Sequence, residues 1–166
     1  MIKNKLFPKK IHFKKFFDQR GYLQEIYNFK KINFNINRSI VSCSKKNVIR
    51  GMHFSKKKEH RLLYVLKGEI NDYCVELSKK PKIKKFNLKT NQGLIIPNNF
   101  AHGYECLKKE NVIIYFLQYE YNVNLNSGFI WNDKNLNIKW SIKKPILSKN
   151  DLSLSEFKKV LNEYSR

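Results

Sequence analysis

Short apolar runs recur through the middle of the chain and are separated by turn-forming residues. The run at 62–66 is closed by Lys67 and Gly68, the run at 94–96 ends at Pro-Asn-Asn, and 112–121 is rich in β-branched and aromatic residues. Strand-like runs spaced about ten residues apart favour an all-β sandwich or barrel over alternating strands and helices. The jelly roll is one such architecture, and it can hold a small ligand inside.

The end of the chain has a different pattern. Ser153 and Glu156 fit a capping box, in which an acidic residue follows a serine by three positions. Apolar residues then recur at helical spacing, at Leu154, Phe157, Val160 and Leu161. We predict one amphipathic helix over about 153–165, closing a single domain that spans 1–166.

The charge balance is strongly basic, with 34 Lys and Arg against 13 Asp and Glu and a net charge of +21. Such a chain attracts anions, and nucleic acid is the first candidate. The lysines are scattered along the whole chain, however, and no RNA- or DNA-binding motif accompanies them. We therefore predict no nucleic-acid partner, although a few of these cations would suit a small phosphorylated ligand.

No apolar run approaches the roughly 18 to 20 residues of a membrane span. The basic N-terminus has no continuous apolar stretch and no small-residue cleavage site, so we recognise no signal peptide. Three widely spaced cysteines form no CxxC pair, which favours reduced thiols. These features predict no membrane partner and a cytoplasmic location.

Two histidines in distant segments are flanked by glycine, His53 in Arg-Gly-Met-His-Phe and His102 directly before Gly103. A histidine can act as a general base near neutral pH, and the two can converge inside a barrel. A strand histidine is nonetheless more often structural. Asp133 fits an ordinary turn, and Asp151 fits a helix cap. The residues alone leave both interpretations open.

The histidine spacing argues against a metal. Metal-binding β-barrels of the cupin type use two histidines separated by one residue, and Ser55 stands where the second would be. His53 and His60 are seven positions apart, which places them on opposite faces of a regular strand. We predict no metal and no cofactor.

Six segments in order carry a resemblance to a known family. The chain resembles the dTDP-4-dehydrorhamnose 3,5-epimerases, sugar-nucleotide epimerases of the cupin superfamily. The resemblance implies a cupin-type jelly-roll β-barrel with a short C-terminal helix, acting as a homodimer. The matching segments are DQRGYLQEIY at 18–27, SKKNVIRGMHF at 44–54, LKGEINDYCVEL at 66–77, LIIPNNFAHGYECL at 94–107, IWNDKNLNIKW at 130–140 and PILSKND at 145–151.

The resemblance also implies a reaction. A metal-free enzyme of this family epimerises a 4-keto-6-deoxy nucleotide sugar next to its C4 ketone, in deoxysugar and surface-polysaccharide biosynthesis. By position in the family motifs, His53 is the base, Asp151 pairs with it, and Tyr115 is the acid on the opposite face. The same comparison assigns substrate binding to Arg20, Glu25, Arg50, Arg61 and His102.

Three departures from the family pattern leave the nucleotide and the sugar open. Residues 38–41 read Arg-Ser-Ile-Val where the family has a Gln-Asp/Glu-Asn-His segment, Arg61 replaces a lysine, and Asn126 replaces a glutamate. The alternatives are a C3-only epimerase or 3,4-ketoisomerase of the same fold, and a non-catalytic cupin that binds a sugar nucleotide.

Overall fold

Twelve β-strands dominate the computed structural model, which describes residues 6–164. In chain order they are β1 (Lys9–His12), β2 (Lys15–Asp18), β3 (Gly21–Gln24), β4 (Arg38–Lys45), β5 (Ile49–Ser55), β6 (Arg61–Lys67), β7 (Glu69–Glu76), β8 (Ile83–Lys89), β9 (Gln92–Ile96), β10 (Phe100–Cys106), β11 (Glu110–Leu117) and β12 (Asn126–Gly128). Three short helices are α1 (Phe29–Ile32), α2 (Lys149–Leu152) and α3 (Phe157–Tyr164), and Val123–Leu125 forms one 3₁₀ turn. Among residues 6–164, none of the helices has the length and hydrophobicity that a membrane span requires.

Ten of these strands form two antiparallel sheets of five. The first sheet has the order β1-β9-β6-β11-β4, and the second has the order β12-β5-β10-β7-β8. Strands β2 and β3 pair only with each other, in a separate hairpin. Strand β4 is an edge strand of the first sheet, and β12 is an edge strand of the second. The predicted all-β architecture is confirmed.

The main core lies between the sheets. Because successive side chains of a strand face opposite sides, every second residue points inward. On β7 the inward set contains Ile70 and Cys74, which pack with Leu63 and Val65 of the first sheet. On the outer face of the second sheet a separate apolar cluster includes Met52, Phe54, Val75, Ala101, Phe129, Phe157, Val160 and Leu161. Helix α3 therefore covers the second sheet from outside.

The predicted C-terminal helix is confirmed over Phe157–Tyr164, but its start is wrong. Ser153 is the C-cap of α2 and not the N-cap of α3, so the capping-box interpretation fails. The Phe157 N–H instead donates to the Asp133 carboxylate at 2.7 Å. Asp133 also accepts the backbone N–H groups of Asn135 and Leu136 and is almost fully buried, so it is more than an ordinary turn residue. Position 165 lies outside the described residues.

Candidate active site

A cavity of about 970 Å³ opens between the two sheets, on the side of their edge strands β4 and β12. Six of the eight residues that the sequence singled out line it. They are His53, Asp151, Tyr115, Arg50, Arg61 and His102.

A short polar contact in the cavity joins His53 and Asp151. The His53 Nε2 and Asp151 Oδ1 atoms are 2.7 Å apart, although the residues are far apart in the chain. The Asp151 side chain is 5% exposed and that of His53 is 40% exposed. An ionised carboxylate only accepts hydrogen bonds, so Nε2–H donates to Asp151 and Nδ1 keeps its lone pair. His53 is therefore a base with a free nitrogen, Nδ1, and its other nitrogen donates to the buried carboxylate of Asp151. The cap of α2 is Ser148, whose hydroxyl accepts the Asp151 N–H.

Glycine at two positions lets the histidine-bearing strands meet. His53 of β5 lies directly opposite His102 of β10, and the register shifts just beyond that pair. A Cβ on Gly51 would lie 2.4 Å from the Cα of Gly103, and the φ of Gly51 is +137°. Both glycines are required by this close approach, which explains why the two histidines have glycine neighbours.

His102 has its own carboxylate partner. Its Nδ1 lies 2.9 Å from Oδ2 of Asp72, and both side chains are buried. Burial lowers the pKa of His102, and Asp72 opposes that shift. The sequence analysis missed Asp72, but a signal was present. Asp72 lies on the same inward face of β7 as Ile70 and Cys74. A charged side chain on a buried face requires a hydrogen-bonding or oppositely charged partner.

Tyr115 reaches the cavity from the facing sheet, on β11. Its ring centroid lies 6.1 Å from that of His102 and 6.4 Å from that of Tyr104. Burial raises the pKa of the Tyr115 phenol well above its usual value, and Tyr104 adds to this effect. The hydroxyl therefore carries its proton at neutral pH and can donate it. His53 and Tyr115 thus approach the cavity from different sheets.

Three arginines give the cavity a cationic lining. The Arg50 Nε donates to the Ser44 hydroxyl at 2.9 Å, and Arg61 forms an ion pair with Glu59. Arg38, from the segment that departs from the family pattern, also lines the cavity. Guanidinium groups suit phosphate oxygens. The sequence analysis did not single out Arg38 or Glu59 as site residues.

Arg20 and Glu25 do not line the cavity of a single chain. Arg20 pairs with Asp18 at the tip of the β2–β3 hairpin, and Glu25 contacts Asn28 and Lys31. Both are exposed. Among residues 6–164, no group of three or more His, Cys, Asp or Glu side chains is placed to hold a metal ion.

Comparisons with known proteins agree on one family. A sequence model of the dTDP-4-dehydrorhamnose 3,5-epimerase family matches residues 8–159. An enzyme of that name from Shigella flexneri is 30% identical over 158 residues, covering 87% of each chain. The Bacillus anthracis dTDP-4-dehydrorhamnose 3,5-epimerase, solved with TDP and PPi bound, is 32% identical with a TM-score of 0.84, covering 90% of this chain and 93% of its own.

A dTDP-6-deoxy-D-glucose-3,5-epimerase from Legionella pneumophila has a TM-score of 0.86 at 23% identity, covering 95% of this chain and 91% of its own. Its structure contains dTDP-4-keto-L-rhamnose. At this identity the likeness shows the fold alone. Together with the Bacillus anthracis structure it confirms the predicted cupin-type jelly roll.

Proposed function

Since this chain belongs to the dTDP-4-dehydrorhamnose 3,5-epimerase family, we propose that it epimerises a dTDP-4-dehydro-6-deoxyglucose type of sugar by proton transfer across the two-sheet cavity. The enzyme is an isomerase of deoxysugar biosynthesis. The observation that carries the assignment of residues is the His53–Asp151 pair on one side of the cavity with a protonated Tyr115 on the facing sheet.

The proposed reaction begins at a carbon next to the C4 ketone. The Nδ1 lone pair of His53 takes the proton, and the electron pair of the broken C–H bond moves onto the ketone oxygen as an enolate. The Asp151 carboxylate stabilises the resulting imidazolium. A proton on such a carbon is removable only when the developing oxyanion is stabilised, and cationic Arg61 in the cavity wall supports that role.

Inversion requires a second group on the opposite face. When the enolate collapses back to the ketone, Tyr115 donates its hydroxyl proton to the same carbon from the facing sheet. The stereocentre is inverted. Solvent then takes the extra proton from the His53 imidazolium and returns a proton to the Tyr115 phenolate. Arg50 and His102 contact the substrate in this proposal, with Arg50 suited to the diphosphate.

The decisive experiment is deuterium wash-in followed by NMR. With dTDP-4-dehydro-6-deoxyglucose in D₂O, the wild-type enzyme incorporates deuterium at C3 and C5. His53→Asn reduces incorporation by at least the roughly 10²-fold typical of a lost general base. The matched control is His12→Asn, an exposed histidine on β1, which retains wild-type incorporation.

The number of labelled carbons separates the alternatives. Label at C3 alone supports a C3-only epimerase, and a product with its ketone moved to C3 supports a ketoisomerase. Tight binding without any label would refute catalysis and leave a sugar-nucleotide-binding protein. A panel of 4-keto nucleotide sugars then identifies the nucleotide and the sugar.

We further propose that two copies of this chain form the working homodimer. The β2–β3 hairpin projects apolar side chains into solvent, with Phe17 74% and Leu23 75% exposed. Exposed apolar patches of this kind mark interaction surfaces. The same hairpin bears Arg20, close in sequence to Glu25, so a partner's cavity is where these two residues would meet substrate. Leu23→Asp yields a monomer in light scattering if this is correct, and an unchanged dimer refutes the role of the hairpin.

The proposed location is the cytoplasm. Cys43, Cys74 and Cys106 are free thiols, which suits a reducing compartment.

A further inference from the structure

Two of the departures from the family pattern meet in space. Arg38 on β4 and Arg61 on β6 both lie opposite Leu117 of β11, which stands between them. Residues directly opposite one another in a sheet point to the same face. Both arginines line the cavity, as does Leu117. The altered segment at 38–41 and the arginine that replaces a lysine therefore form one patch of the cavity wall.

Glu59 is the carboxylate of this patch. Its Oε2 lies 3.4 Å from the Arg61 Nε, and its Oε1 accepts the Tyr119 N–H at 3.1 Å. The side chains of Glu59 and Arg61 are 6% and 10% exposed. Both carboxylate oxygens are engaged, so Glu59 has little freedom to move.

Arg38 adds a second positive charge to this patch. Its Nε is buried and has no hydrogen-bond partner among the described residues. Burial lowers the pKa of Arg61, Glu59 opposes the shift, and the charge of Arg38 adds to it. Two like charges on one wall of the cavity repel each other, and Glu59 offsets that repulsion for Arg61.

Arg61 also contacts the backbone of the residue that carries the base. Its Nη1 makes a 3.5 Å hydrogen bond to the carbonyl oxygen of His53, so the guanidinium lies beside the strand that carries the proton acceptor. We propose that Glu59 is a positioning residue, whose carboxylate holds Arg61 where its guanidinium faces the ketone oxygen of the substrate. As His53 removes the proton, the C–H electron pair moves onto that oxygen, and Arg61 donates hydrogen bonds to it without giving up a proton. This inference rests on the proposed function.

Glu59→Gln tests the positioning role because glutamine keeps the size and can still accept the Tyr119 N–H. Losing one oxyanion donor costs about 10²–10³-fold in kcat, so a misplaced donor is expected to lower kcat by at least about tenfold. KM changes by less than about threefold, because the lost interaction develops only in the transition state. Glu59→Asp keeps the charge on a shorter side chain and recovers part of the loss.

The matched control is Glu110→Gln, which removes an exposed carboxylate paired with Lys67 outside the cavity and leaves kcat unchanged. A second readout does not need turnover. The Arg61 Nε–H gives a slowly exchanging NMR resonance in the wild type, assigned by its loss in Arg61→Lys, and Glu59→Gln accelerates its exchange with solvent.

Three results would overturn the inference. The first is a wild-type kcat in Glu59→Gln, and the second is a raised KM in that variant with unchanged kcat. The third is a lowered Tm of Glu59→Gln while the folded molecules keep full activity. The absence of deuterium exchange in the wild type would instead refute the proposed function, so the two failures are distinguishable.

Discussion

Replacing Asp151 with asparagine tests the pair on which the proposed mechanism depends. The substitution keeps the size of the side chain and removes its negative charge. The His53 Nε2 to Asp151 Oδ1 distance of 2.7 Å is at the short end for a charge-assisted N–H···O bond. The Asp151 side chain is only 5% exposed, so water does not take over when the charge is lost.

The expected loss follows from this geometry. A hydrogen bond to a charged group contributes about 1.5–3 kcal/mol, and each ~1.4 kcal/mol changes a rate tenfold. If the whole contribution is made when His53 becomes an imidazolium, kcat of Asp151→Asn falls by about 10- to 150-fold. KM is expected to stay near its wild-type value, because Asp151 acts on the base and not on the bound ground state.

The assay is initial deuterium incorporation in D₂O, measured together with Tm. Ser148→Ala is the control, because it removes the N-cap of α2 and leaves the carboxylate in place. It is expected to cost about 1 kcal/mol of stability. The reasoning is refuted if Asp151→Asn keeps more than about a third of wild-type incorporation. It is also refuted if Ser148→Ala loses as much activity as Asp151→Asn, since the effect then comes from the helix and not from the charge.

Three further predictions follow from the site. Tyr115→Phe still admits deuterium through His53 but makes almost no inverted product by NMR, and wild-type inversion would exclude the hydroxyl as the acid. The pKa of His102 is lowered by burial, so the unfolded chain binds its proton more readily. The contribution of His102 to the free energy of unfolding is therefore fully present above about pH 6.5 and is lost on acidification. The Tm decrease from pH 7.5 to 5 is smaller in His102→Gln, and an equal decrease would contradict this. Gly51→Ala drives a Cβ against Gly103 at positive φ and lowers stability by about 1–3 kcal/mol in thermal or urea unfolding, whereas an unchanged Tm would disprove the contact.

The success of sequence reasoning here depended on how local each signal was. The strand runs and the glycine-flanked histidines are readable because each needs only neighbouring residues. The start of α3 was misplaced because its first N–H is satisfied by Asp133, which lies 24 residues earlier. Which carboxylate meets which residue depends on sheet register, so the pairing of Asp72 with His102 could not be read from spacing alone.

Arg38 and Glu59 were missed as site residues for a related reason. Each looks like an ordinary charged residue in its own segment. Because the chain is rich in lysine, a single functional cation cannot be recognised among the many positive charges. Only the placement of β4, β6 and β11 side by side brings Arg38 to the same wall as Arg61. Arg20 and Glu25 remain predictions, since they lie outside the cavity of one chain.

His53 and Tyr115 belong to different layers of the sandwich, and this has a consequence for stereochemical fidelity. Packed sheets are held about 10 Å apart by the side chains between them. The thickness of the core therefore sets the distance between the proton donor, Tyr115, and the proton acceptor, His53. Leu63 lies in this core, opposite Tyr115 on the neighbouring strand. In a thinner or more loosely packed core, one face of the sugar would lose contact with its catalytic residue, His53 or Tyr115, while the other face kept its own. The ratio of inverted to retained product would then report on packing far from any atom that touches the sugar.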